Sequence, residues 1–234
     1  MTQFEDLLAR ARVDEDVFAL CPDYRALLVV IDGIVPAPSD EASEDLLRSA
    51  EVHARQLLAG RQADQLPHVE AWRSAYRAFG AKPQRTRNSL EALTRRAPAG
   101  LPRVNRVTDV YNAVSVMHQL PVGGEDLSRY AGPPHLVRAT GEEPFDTLAD
   151  GAEVIEHPEA GEVVWRDDVG VTCRRWNWRQ ARRTQLHDGT TTALFILDAL
   201  GPMSDDALQA AADDLVGHLS VASPVRSWRR LLSR

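Results

Sequence analysis

Three small polar side chains, Thr108, Asn112 and Ser115, recur at i, i+4 and i+7 in "LPRVNRVTDVYNAVSVMHQLPVGGED", with Asp109 near them. On a helix these spacings fall on one face. An amide donates and accepts at once, so Asn112 can fix a substrate or an attacking water without a change of charge. The run stops at Pro121 and opens into Gly123-Gly124, a backbone permissive enough for a ligand to come close. The pattern reads either as one wall of a pocket, with Asn112 at its working point, or as a solvated helix face.

A second constellation, "GVTCRRWNWRQARRTQL" (170–186), holds five arginines, two tryptophans and no acid, in a chain of net charge −7. Cys173 beside arginines suits a lowered thiol pKa, but no histidine accompanies it, and a buried strand cysteine is the other reading. Trp176 and Trp178 lie two apart and would share a face on a strand. The expectation is a strand ending near Arg175, so that one indole packs and the other lines a pocket. His118, at the helix end, reads as structural. Walker, G-x-G-x-x-G, G-x-S-x-G and H-E-x-x-H patterns are all absent, which leaves no motif for a nucleotide cofactor, a serine nucleophile or zinc. No metal and no cofactor is expected.

The elements that must carry these residues are legible in outline. "YRALLVVIDGIV" (24–35) is a buried strand. "PSDEASEDLLRSAEVHARQLLAG" is a helix capped at Ser39 or Asp40, with Gly60 as its stop. In "PHVEAWRSAYRAFG" the apolar residues Val69, Trp72, Tyr76 and Phe79 mark a helix whose stripe faces the core. Asn88 caps a short basic helix, and Val107, Val110, Val114 and Met117 line the helix that bears Asn112. From about Leu136 the texture turns to strands: "HLVRAT", "EEPFDTL", "EVVWRDDVGVTCRRW" and "TTTALFILDAL". A last helix starts at Ser204. Helices early and strands late make an α+β domain over 1–222, followed by a basic tail, "RSWRRLLSR", within 223–234. The tail is expected to be dispensable, its Arg229 and Arg230 solvating a fraying helix or touching phosphate at the periphery.

Charge is segregated. From Arg73 to Arg106 there are nine basic residues and one acid, Glu91, whereas residues 1–66 carry 13 acids and six arginines. Two cationic blocks in an acidic chain suggest a local field for an anionic partner, unless acids from elsewhere fold against them. The blocks are expected to converge on one face. The charged start, the two distant cysteines and an apolar run of only six residues, "ALLVVI", point to a soluble cytoplasmic protein with no membrane partner.

"VTDVYNAVSVMHQLPVGGEDL", "GEEPFDTL" and "DDVGVTCRRWNWR" together resemble the B3/B4 domain of the phenylalanyl-tRNA synthetase β subunit, and in texture the freestanding proteins built from it. The resemblance spans about Leu27 to Leu200. It implies a three-layer α+β fold with a β-sandwich core flanked by helices. It also implies an editing site that hydrolyses a wrongly attached amino acid from tRNA. The family's Asp-Val-Thr-Asn run falls on Asp109, Val110, Tyr111 and Asn112, and its Pro-x-His on Pro121, Val122 and Gly123. Tyr111 thus replaces a threonine and Gly123 a histidine, so the amino-acid preference must differ.

The expected site places Asn112 as the catalytic residue. Asp109, Tyr111, Ser115, Gly123, Gly124, Cys173, Arg175, Trp176 and Asn177 form its pocket. Lys82, Arg85, Arg87, Arg95, Arg174, Arg179, Arg182 and Arg183 hold the tRNA, whose 3′ aminoacyl end is the partner, with no DNA and a monomeric protein favoured. The expected activity is deacylation of mischarged tRNA. A non-catalytic tRNA or aminoacyl-binding module and a binder of small anionic metabolites are the alternatives.

Overall fold

A computed structural model describes residues 2–234. Its centre is a four-stranded antiparallel sheet in the order β11-β2-β10-β3, formed by Arg226–Leu232, Arg25–Asp32, Thr192–Ala199 and Val122–Asp126. β2 and β10 pair in full register from Arg25↔Ala199 to Asp32↔Thr192. Both are apolar on both faces, so the sheet must be covered twice.

One face, with Leu28, Val30, Leu194 and Ile196, packs on a second sheet through Leu136, Val163 and Trp165. That sheet runs β1-β4-β7-β8-β9, from Arg12–Val13, His135–Arg138, Val163–Arg166, Val171–Arg174 and Arg179–Gln180. The opposite face, with Leu27, Val29, Phe195 and Leu197, packs on two helices, α6 (Arg106–His118) and α7 (Asp205–Leu219). Sheet, sheet and helices make the three layers of this α+β fold. α3 (Glu41–Leu57) lies on α6. α4 (Pro67–Ala78) sends Trp72 and Tyr76 into the core between the sheets. The helices α1 (Gln3–Arg10), α2 (Glu15–Leu20) and α5 (Ser89–Arg96), and the hairpin of β5 (Phe145–Ala149) and β6 (Ala152–Glu156), complete the described chain.

Local chemistry sets the boundaries. Asp40, Asn88, Asn105 and Ser204 each accept a backbone N–H in the first turn of their helix, which satisfies a donor the helix leaves free. Gly123-Gly124 is not an open turn, as the sequence suggested, but lies within β3, each glycine paired to β10. Gly124 is required by packing: a Cβ there would sit 2.9 Å from Phe195 and Leu186.

The C-terminal segment is the largest departure. Arg226–Leu232 is neither a fraying helix nor a loose tail but the edge strand of the central sheet, registered from Arg226↔Asp32 to Leu232↔Ala26. Trp228 stacks against Phe4 at 4.8 Å, and Arg229 pairs with Asp213. Truncation after Ser223 would therefore bare the edge of β2. It is expected to lower the melting temperature by on the order of 10 °C or to abolish soluble expression. An unchanged melt would show that β11 adds nothing to the fold.

Candidate functional site

Between the two sheets, beside edge strand β3, lies a cavity of about 270 Å³. Gly123 and Ile196 belong to its central-sheet wall, and Trp165 and Cys173 to the second sheet. Tyr111 and Asn112 reach it from α6, and Ser89 and Leu93 from α5. The turn after β8 supplies Trp176, Asn177 and Trp178. A side chain at Gly123 would project toward the amide of Gln180, so glycine here widens the space.

The β8–β9 turn explains the tryptophan pair. Arg175 and Trp176 are consecutive non-glycine residues with positive φ, 47° and 68°, a conformation costing roughly 1–2 kcal/mol for each residue. The turn is closed by the Trp178 N–H to Arg174 carbonyl bond of 3.1 Å. It drives Trp176 into the core, edge-on to Tyr24 at 4.9 Å and Trp72 at 5.3 Å. Trp178 stays half-buried at the rim, with the Arg175 guanidinium 4.7 Å from its ring. One indole packs and the other borders the opening, and both contribute to the wall.

Two acids on the cavity were not singled out from the sequence: Glu125 on β3 and Asp198 on β10. Asp198 accepts hydrogen bonds from Tyr24 Oη at 2.6 Å and Asn177 Nδ2 at 3.2 Å, and Tyr76 Oη donates to Asn177 Oδ1 at 2.9 Å. Glu125 accepts from the Tyr130 hydroxyl. Burial pushes both carboxyls up to about 7, and the hydroxyl and amide donors offset only part of that rise. Other buried acids have stronger partners. Glu51, Glu91, Glu162 and Asp167 pair with arginines and Asp126 with His187, while Asp109 and Glu143 accept backbone N–H groups. Among the buried acids of the described residues, only Glu125 and Asp198 have neither, and both border the same cavity.

The cavity also holds polar groups without protein partners. The Ser89 hydroxyl is buried and unbonded, and the buried indole N–H groups of Trp165 and Trp176 lie beside Asp198 and Tyr24 without a well-formed hydrogen bond. Asn112 is 93% buried, and its amide makes no side-chain hydrogen bond among the described residues. The wall thus offers donors, acceptors and aromatic surface to one ligand.

Several expected pocket residues lie elsewhere. Asp109 is a structural acid, accepting the Val104 N–H at 2.9 Å and the Ser43 hydroxyl at 3.2 Å. Ser115 Oγ donates to the Leu120 carbonyl at 2.7 Å, which ties down the end of α6. Gly124 faces Phe195 on the helix side. Cys173 does border the cavity, but burial pushes its thiol well up rather than down, so it is no nucleophile. His118 pairs with Asp214 of α7 at 2.6 Å and takes no part in the cavity.

The cationic blocks are largely neutralised. Glu91 receives Arg73, Arg87 and Arg95. Arg174 pairs with Glu162 and Glu156, Arg182 with Asp146 and Glu153, and Arg183 with Asp167. Arg179 donates to the Leu148 carbonyl. Exposed Lys82 and Arg85 have no salt-bridge partner among the described residues, and they share a polar groove of about 300 Å³ with Arg175, Thr86 and two acids, Glu159 and Glu162. Arg175 donates to Thr86, which joins the two cationic segments, and its contact with Trp178 links the groove to the cavity. Of the cationic surface expected of eight residues, Lys82, Arg85 and Arg179 remain without an acid partner, and Arg175 is shared with Glu162.

Residues 71–212, more than half of the chain, match the model of the B3/4 domain. The chain belongs to the B3/4 domain family. No curated protein matches it. Among solved structures, an N-terminal fragment of the phenylalanyl-tRNA synthetase beta-subunit from Pyrococcus horikoshii is similar at a TM-score of 0.45 and 11% identity. That likeness covers 95% of this chain and 50% of the fragment, so the chain spans half the fragment's length. The matched part of the B3/4 domain contains the whole cavity wall. β2 and β11 lie outside it, although both pair within the same sheet. No helix among the described residues is long and apolar enough to cross a membrane.

Glu125 links the site to stability. In the folded protein it keeps its proton to about pH 7, against an ordinary value of 4.5. Its share of stability is therefore complete below the lower value and is lost as pH rises through the higher one, by at most about 3 kcal/mol. Glu125→Gln is expected to melt roughly 5 °C above the wild type at pH 8 and to flatten the decline in melting temperature above pH 5. Identical pH profiles would show that Glu125 ionises freely.

Proposed function

We propose that the cavity holds the aminoacyl group of a charged tRNA and that the protein hydrolyses its ester. The observation carrying this reading is the cavity's mixed wall: two buried acids without a cation, the Asn112 amide without a side-chain partner, the unbonded Ser89 hydroxyl and aromatic surface around one volume. An aminoacyl ester presents the complement, an ammonium for the acids, a carbonyl for the donors and a side chain for the aromatic surface. Membership of the B3/4 family and the resemblance of its motifs to the synthetase editing domain agree with this assignment.

The ester is already activated, so orienting a water and stabilising the developing oxyanion supply the needed rate without a protein nucleophile. Asn112 orients the water or the carbonyl, since an amide serves either task. The terminal adenosine stacks at the Trp178 rim, and Lys82 and Arg85 in the adjoining groove meet its phosphates. The acids in the cavity disfavour the small-anion alternative. The neutralised arginines imply a weak hold on the body of the tRNA.

A panel of aminoacyl-tRNAs tests the proposal. One or a few should be deacylated well above the spontaneous rate, and Asn112→Ala should slow that turnover about ten- to a thousand-fold at unchanged melting temperature. His118→Ala should cost less than about threefold, since it touches only Asp214. Binding of tRNA without turnover of any ester would leave a non-catalytic module. Full loss with His118→Ala and none with Asn112→Ala would refute the pocket assignment.

The grip on RNA is tested separately. Lys82→Ala and Arg85→Ala should each weaken tRNA binding modestly and reduce the slope of log affinity against log salt by about one. Arg95→Ala should instead cost stability, because Arg95 helps to neutralise buried Glu91. Equal effects of all three on the salt slope would restore the broad cationic surface read from the sequence.

A further inference from the structure

The two uncompensated acids stand at defined places on one strand face. Glu125 is registered opposite Leu194, and Asp198 lies four residues further along β10 on the same face. Four residues of strand separate them by about 13 Å. Between them the wall is apolar: Ile196, Trp165, Cys173 and Trp176. The site does not rest on acids alone, because the buried Asn112 amide and the Ser89 hydroxyl border the same cavity without protein partners. A ligand with one ammonium would gain an ion pair at one acid only and leave the other protonated, whereas two ammonium groups gain a pair at each. That backbone spacing puts the two acids toward opposite ends of one cavity wall, with room for an extended aliphatic chain between two ammonium groups.

We propose that the cavity is specific for an aliphatic chain bearing an ammonium at each end, bound between Glu125 and Asp198. Resting on the aminoacyl reading above, this makes the substrate the ester of a dibasic amino acid with an ammonium-ended side chain, of the lysine or ornithine type. The same chemistry in a free diamine is the other source. The apolar wall between the acids suits the aliphatic span, and an apolar side chain would leave one acid without a cation.

Calorimetric titration at pH 7 with three non-hydrolysable probes decides the matter. L-lysinamide should bind, and L-norleucinamide, which lacks only the terminal ammonium, should bind about 10- to 100-fold more weakly. Of Glu125→Gln and Asp198→Asn, each confirmed as folded by circular dichroism, one should shrink that preference to less than about threefold, because its acid meets the side-chain ammonium. The other should weaken both probes alike. A preference unchanged in both variants would overturn the proposal. Cadaverine separates the sources. Binding at least tenfold weaker than L-lysinamide assigns an aminoacyl ligand, and equal or tighter binding assigns a free diamine.

Norleucinamide binding as tightly as lysinamide, or no binding of any probe at millimolar concentration, would overturn the proposal. Its failure is distinguishable from failure of the hydrolase reading. Turnover of an apolar but not a dibasic aminoacyl-tRNA refutes this specificity alone. Tight lysinamide binding without deacylation refutes hydrolysis alone.

Discussion

Asp198 is enclosed between two sheets with hydroxyl and amide donors but no cation, and the elements around it are arranged so as to satisfy it. Tyr24 reaches it from the start of β2 and Asn177 from the strained turn after β8. Tyr76 fixes Asn177 from α4, and the Ser89 N–H donates to the Asn177 carbonyl at 3.0 Å, which brings in the start of α5. A buried polar network specifies one geometry when every member is satisfied and is costly when it is not. The left-handed pair Arg175-Trp176 is the strain that this arrangement accepts, offset by burial of the Trp176 ring among Tyr24 and Trp72. The same turn places Trp178 at the rim and Asn177 on the wall, so the fold's internal tie and the cavity's geometry are one structure.

Charge is distributed by the same logic. Cations that appear grouped in the sequence are spent on buried acids from other segments, as Glu162 takes Arg174 and Glu91 takes Arg73 and Arg95. Such pairs hold the layers in register more than they add stability. Two acids at the cavity remain outside this pairing. A site that holds carboxyls by neutral donors alone is suited to a ligand that brings its own positive charge.

How much of this was legible from residues alone follows from the range of each interaction. The caps at Asp40, Asn88, Asn105 and Ser204 and the strand at β2 depend on neighbours a few positions away, and the sequence pattern predicts them. The strands β1, β6, β9 and β11 are short, edge-lying or one face exposed, so they lack a continuous apolar run; β11 reads as a basic tail because its arginines pair outward with Asp32 and Asp213. Asn112, Tyr111, Gly123, Trp176 and Asn177 were each singled out and do meet at one cavity. Asp109 and Ser115 share the helix but turn to bond the backbone, a choice set by residues 104 and 120. Glu125 and Asp198 were missed because an acid in a strand announces nothing until its lack of a partner is visible. One signal was present: Asp198 interrupts the otherwise apolar "TALFILDAL".

Everything rests on Glu125 and Asp198 being buried, still about half protonated at neutral pH, and available to a cationic ligand. Carboxyl-carbon NMR titration of the labelled protein, assigned through Glu125→Gln and Asp198→Asn, measures this directly. Two carboxyls should titrate near pH 7 in the free protein and move to below about pH 5 in saturating L-lysinamide. Both carboxyls titrating in the ordinary range without ligand, or two elevated values that the ligand leaves unmoved, would contradict this reading.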